Sequence, residues 1–304
     1  MDESPALRPY RRDNPRLWLH AGLLLATFVT ASMAGSWFWE GLFDEGAPWR
    51  ALVELSRLSH GVTYASLLLL ILGAHEMGHY LACRYYRVPA TLPFFIPFAI
   101  PGIPMMVGTL GAVIRIRGPI PSRKALFDIA AAGPIAGFVV AFPLLIVGIA
   151  RASELPQAPS LHGLSLGSPL CSWIFERFFH GASQLQINSI LGAAWVGMLV
   201  TSMNLFPVGQ LDGGHAVFAV VPKAHRIVSW LTISAIAALV LVQSVRYRMP
   251  SAYCLWLIVL LVLRDRHPRL LEETESLGAG RIGVAVLLAV IFVLTFIPVP
   301  LFFD

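Results

Sequence analysis

Long apolar runs separated by short polar segments set the pattern of this chain. Seven stretches, roughly 17–39, 61–83, 125–150, 188–211, 227–245, 250–263 and 282–303, are apolar over most of their length. A helix needs about 20 such residues to cross a bilayer. The pattern therefore predicts an all-α polytopic membrane protein with about six to seven transmembrane helices. The lower number applies if the short sixth run is re-entrant or merges with its neighbour.

Between the second and third runs the pattern changes. Pro89, Pro93, Pro97, Pro101 and Pro104 punctuate an apolar stretch from Leu92 to Val107, and a regular helix does not tolerate proline at that density. A re-entrant or interfacial segment is expected. Ile114, Arg115, Ile116 and Arg117 then alternate within Gly111 to Gly118, a strand period. The expectation is a re-entrant or β-hairpin segment, either a basic surface hairpin or an edge that an unwound peptide could join. The longest polar connection, 151–187, is rich in Pro, Ser and Gly, with an amphipathic patch from Trp173 to Phe179. It is too short for a separate domain of ordinary size. Residues 1–304 are thus read as one integral-membrane domain, with a core at about 60–220 and accessory helices at 17–39 and 227–303.

Composition agrees. Of 304 residues 57% are hydrophobic and 13% charged, and the mean hydropathy is +0.71, against about 25% charged in soluble domains. A net charge of +5 would suggest nucleic acid in a soluble protein. Here the basic residues gather in particular loops, so the lipid bilayer is the expected partner and nucleic acid is not. With the N-terminus inside, the inner segments carry sixteen Lys and Arg and the outer ones six, which predicts a cytoplasmic N-terminus. Cys83, Cys171 and Cys254 fit no zinc spacing and imply no disulfide framework. The acidic start and the lack of an evident cleavage site make the first run a retained span. With no transit-peptide composition, a bacterial plasma membrane is expected.

Chemistry enters at His75-Glu76-Met77-Gly78-His79, near the end of the second run. Residues four apart share one helix face, so His75 and His79 can offer two imidazole nitrogens to one ion. This H-E-x-x-H spacing suits zinc, with Glu76 as general base. Counting back from Arg84, the histidines lie roughly 8–14 Å into the membrane from the cytoplasmic side. Ionisable groups at that depth are functional candidates by default. A third ligand is needed, and the apolar stretch from Asn204 to His215 offers an acid, Asp212. Pro207, Gly209, Gly213 and Gly214 break the helix there, as lining a polar cavity allows. His215 is a competing candidate.

H-E-M-G-H followed by Asn204-x-x-Pro207-x-x-x-Leu211-Asp212-Gly213 resembles the site-2 protease family of intramembrane zinc metalloproteases. Ala131-Ala132-Gly133-Pro134-Ile135-Ala136-Gly137 is similar to the family's small-residue motif, and its Gly133 and Gly137 form G-x-x-x-G, a close-packing signal. The resemblance implies one zinc on His75, His79 and Asp212, Glu76 as catalytic base and Asn204 near the scissile carbonyl. The substrate it implies is a transmembrane protein or peptide cut within or near its membrane segment. This chain has no room for the PDZ domain of many bacterial members and looks more like the PDZ-less members, such as the plant chloroplast forms. The rival from another class is a metal-ion transporter using the same His/Asp cluster. Against it stand the absence of an internal repeat and the presence of Glu76. The sequence does not name the substrate or the oligomeric state.

Overall fold

The computed structural model describes residues 16–36, 55–99, 107–155, 164–181, 184–248, 250–264, 270–272 and 276–303. Helices dominate: α1 (Leu17–Ala34), α2 (Leu55–Tyr85), α3 (Arg123–Ala150), α4 (Leu170–His180), α5 (Ser189–Asn204), α6 (Asp212–Val220), α7 (His225–Tyr247), α8 (Tyr253–Leu263) and α9 (Ala279–Thr295). Among the described residues eight short strands pair two by two: β1 (Phe94–Pro97) with β2 (Thr109–Val113), β3 (Ile120–Ser122) with β7 (Leu270–Glu272), β4 (Glu154–Leu155) with β6 (Gln184–Leu185), and β5 (Leu164–Leu166) with β8 (Leu301–Phe303).

By length and composition four of the described helices can cross a membrane: α1, most of α2, α3 and α7. Three more are apolar but shorter, α5, α8 and α9, so four of the described helices meet the length and composition of a span where six to seven transmembrane helices are expected. The run expected at 188–211 stops at Asn204 because Pro207 has no N–H to give and Gly209 takes φ +51. The chain restarts as α6, whose first residue is Asp212. The last run ends at Thr295, ahead of Pro298 and Pro300. Outward faces of these helices carry exposed Leu25, Leu70, Val139, Leu241, Leu255 and Val293. Such surfaces suit lipid and would be a liability in water.

The core is built by α2, α3 and α5 packing on one another. Tyr64, Leu68 and Leu72 of α2 meet Trp195 and Val196 of α5, while Ala141 and Leu145 of α3 meet Met198. Small residues set the spacing. A side chain on Gly78 would collide with the Ala132 carbonyl, and one on Gly197 would press on Ile71 at 2.9 Å. Ser122 caps α3 by accepting from the Ala125 amide, and Asn188 caps α5 through the Leu191 amide. The amphipathic patch at 173–179 falls within α4, with Cys171 and Ser172 buried and Trp173 and Phe178 exposed.

Strands β1 and β2 pair antiparallel, with β2 lying earlier than the Ile/Arg alternation suggests. Phe94 pairs with Val113 and Phe95 with Ala112, and the register shifts before Pro97 meets Thr109. Beyond Val113 only single bonds continue the ladder, from Thr91 to Arg115 and from Arg117 to Pro89. Pro89 and Pro93 on the facing segment cannot donate, so the Ile/Arg alternation ends up beside a broken ladder. Helix α1 braces the hairpin: His20 Nδ1 lies 3.0 Å from the Pro93 carbonyl and Thr30 donates to the Gly108 carbonyl at 2.7 Å. Pro101 and Pro104 lie outside the described residues.

Candidate active site

The helix break between α5 and α6 delivers an acid to the histidines of α2. Asp212 Oδ2 lies 3.4 Å from His75 Nε2 and 3.3 Å from His79 Nε2, and the two Nε2 atoms are 3.1 Å apart. Among the described residues this is the group of His, Cys, Asp and Glu with metal-ligand proximity, one donor atom from each lying within 4.8 Å of the others. His75 and His79 are buried.

The outer contacts suit a cation. His79 Nδ1 donates to the Ile129 carbonyl at 2.7 Å, which leaves Nε2 with its lone pair aimed at the cluster. Three electron-pair donors converging in a buried space repel one another unless a cation or protons sit between them. Two imidazoles and one carboxylate are a donor set that zinc takes in catalytic sites.

Helix α3 presses on the ligands from behind. A Cβ on Gly133 would overlap the His79 imidazole, and one on Gly137 would sit 3.2 Å from His75. Both pairs are four residues apart, so the G-x-x-x-G stripe runs alongside the two histidines in the opposite sense, and glycine is required where the ring of His79 passes.

A cavity of about 660 Å³ opens onto the cluster, lined by His75, Glu76, His79, Asn204, Asp212 and His215 together with Ala112, Val113 and Ile114 of the hairpin. Glu76 is buried at its wall, which Ile114 also lines. Asn204 Nδ2 lies 3.3 Å from His75 Nε2. His75, Glu76, His79, Asn204 and Asp212 therefore meet in one place. His215 borders the same cavity outside the three-atom cluster. Sequence reasoning missed the Ile129 carbonyl and Gln210 at the cavity rim. The first is a backbone group with no residue-type signal. The second is an ordinary polar residue two before Asp212.

Residues 63–245 match the profile of peptidase family M50. The chain belongs to peptidase family M50. It is 31% identical over 233 residues to the rice (Oryza sativa subsp. japonica) protein named "Probable zinc metalloprotease EGY1, chloroplastic", covering 74% of this chain and 38% of that protein. To "Probable zinc metalloprotease EGY2, chloroplastic" of Oryza sativa subsp. indica it is 30% identical over 263 residues, 83% of this chain and 45% of the relative. The EGY2 protein of Arabidopsis thaliana is 26% identical over 261 residues, 84% and 45% of the two chains. The chain spans less than half the length of these relatives. All three are described as chloroplastic, which gives the expected bacterial plasma membrane no support. Membrane integration itself rests on the apolar helices. The matched segment runs from within α2 to within α7, so α1, α8 and α9 fall outside it.

Proposed function

We propose that this M50 peptidase is a zinc metalloprotease that cuts a peptide bond within or near the membrane segment of another membrane protein. The observation that carries the reading is the meeting of His75, His79 and Asp212 at one wall of a cavity that Glu76 and Asn204 also line. His75, His79 and Asp212 would hold the metal. When bound, zinc supplies Lewis-acid polarisation of the scissile carbonyl and acidifies water. Glu76 takes the proton of the attacking water and passes it to the leaving nitrogen. Asn204 donates its amide N–H to the carbonyl oxygen as negative charge develops there.

A transmembrane helix hides its carbonyls in its own hydrogen bonds, so the substrate must unwind before it is cut. The hairpin offers a partner for the unwound stretch. Strand β2 pairs with β1 on one side, while Ala112 and Val113 border the cavity, so its other edge is placed to add an extended peptide. Arg123 donates to the Ala219 carbonyl, and Arg281 pairs with Asp128 and the Tyr86 hydroxyl; both arginines belong to segments counted as inner by charge, which is in keeping with a cytoplasmic N-terminus. A metal transporter has no use for a buried carboxylate directly after the first ligand, and the M50 match speaks against it.

The test is cleavage of a transmembrane peptide in liposomes by the purified protein. Wild type is expected to cut it and Glu76→Gln to fall to background while keeping its zinc. Metal flux into vesicles without cleavage would overturn the reading.

A further inference from the structure

One polar cluster outside the catalytic cavity ties its helices together. Arg281, in the first turn of α9, donates from Nε to Asp128 Oδ1 at 2.8 Å and from an Nη to Asp128 Oδ2 at 2.7 Å. This two-pronged pairing fixes both position and plane. The same Arg281 nitrogen reaches the Tyr86 hydroxyl at 3.2 Å, and Tyr86 itself donates to Asp128. Arg281 and Asp128 are half-buried, so the tie rests on its two-pronged geometry and the shared Tyr86 hydroxyl more than on burial.

Its placement gives it a role. Tyr86 extends the last turn of α2, its amide bonded to the Ala82 carbonyl, and stands seven residues after His79, on the same face. Asp128 is the neighbour of Ile129, whose carbonyl orients His79. Helix α2 therefore grips α3 twice: His79 on the carbonyl of 129, and Tyr86 on the carboxylate of 128. The second grip is locked by α9, which lies outside the segment matched to the family. A slide of α3 along α2 would carry the Ile129 carbonyl away from the imidazole and move Gly133 off the ring.

We propose that Tyr86, Asp128 and Arg281 form a positioning clamp that sets the register of α3 on α2 and so holds His79 oriented for zinc. This rests on the metalloprotease reading above. None of the three residues touches the metal or the reacting atoms. Their effect passes through the Ile129 carbonyl.

The test is zinc affinity by chelator competition on the full-length protein, with the visible absorption of the cobalt-substituted form as a second readout and thermal unfolding of the metal-free form alongside. Arg281→Met and Asp128→Asn are expected to weaken zinc about tenfold or more, as loss of outer-shell support does, and to alter the cobalt bands. Tyr86→Phe, the mildest change and the one that keeps the protein folded if the others do not, should shift both readouts in the same direction by less. Arg177→Gln on the exposed face of α4 should change neither. Unaltered zinc affinity and cobalt bands in folded variants, with only the unfolding temperature lowered, would overturn the clamp and leave a structural tie. A wild-type protein that binds no zinc would instead overturn the protease reading itself.

Discussion

At the scale of single residues, the account turns on what surrounds the His79 ring. Gly133→Val places a branched side chain in the space of that imidazole. It is expected to weaken zinc by about 10–100-fold, read by chelator competition. Gly22→Ala on α1, where nothing lies within 4 Å of an added Cβ, should leave affinity unchanged. Asn204→Ala is expected to lower kcat by about 10²-fold, the scale of a lost oxyanion donor, while metal content stays constant. Equal kcat in the two proteins would remove Asn204 from the mechanism. The side chains of this site were legible because their signals are local or rare: two histidines four apart, and an acid in a run that otherwise carries none. The Ile129 carbonyl was not legible, since every residue has such a group and only the fold selects which one matters.

At the scale of elements, the break between α5 and α6 is what turns an apolar run into a ligand-bearing arm. Gly209 takes φ +51 with the Leu263 carbonyl against it, so Gly209→Ala should cost on the order of 1–3 kcal/mol of stability, measured by thermal unfolding. The breakers were visible in the sequence, but the second helix was not, because Gly213 and Gly214 read as part of the break and yet lie in its first turn. The hairpin was legible as a non-helical segment and misplaced in register, since the facing prolines, and not the Ile/Arg alternation, decide where the ladder holds. Helix α4 is fastened at its end by His180, which lies 2.8 Å from the Ile149 carbonyl through Nε2 and 3.1 Å from Glu154 through Nδ1. Those acceptors favour the protonated ring and raise its pKa above the ordinary imidazole value. The tie is therefore complete below the unfolded-state pKa and fades as pH rises through the higher folded-state value. Hydrogen exchange in α4 should speed up across that window, after correction for the intrinsic rate, and His180→Gln should remove the pH dependence. An identical pH dependence in both proteins would show that the tie has no such effect.

At the scale of the whole molecule, a family core from α2 to α7 is wrapped by α1, which braces the hairpin, and by α9, which reaches the α2–α3 contact through Arg281. The sequence disclosed these outer helices as hydrophobic and nothing more, because their tasks depend on distant partners such as Gly108 and Asp128. The measurement that bears most directly on the central claim is the zinc content of the purified full-length protein beside that of Asp212→Ala. The account predicts about one zinc per chain in wild type, the number a single three-ligand site holds, and loss of most of it in the variant with the fold retained. A wild-type protein without zinc, or a folded variant that keeps its full complement, would contradict it.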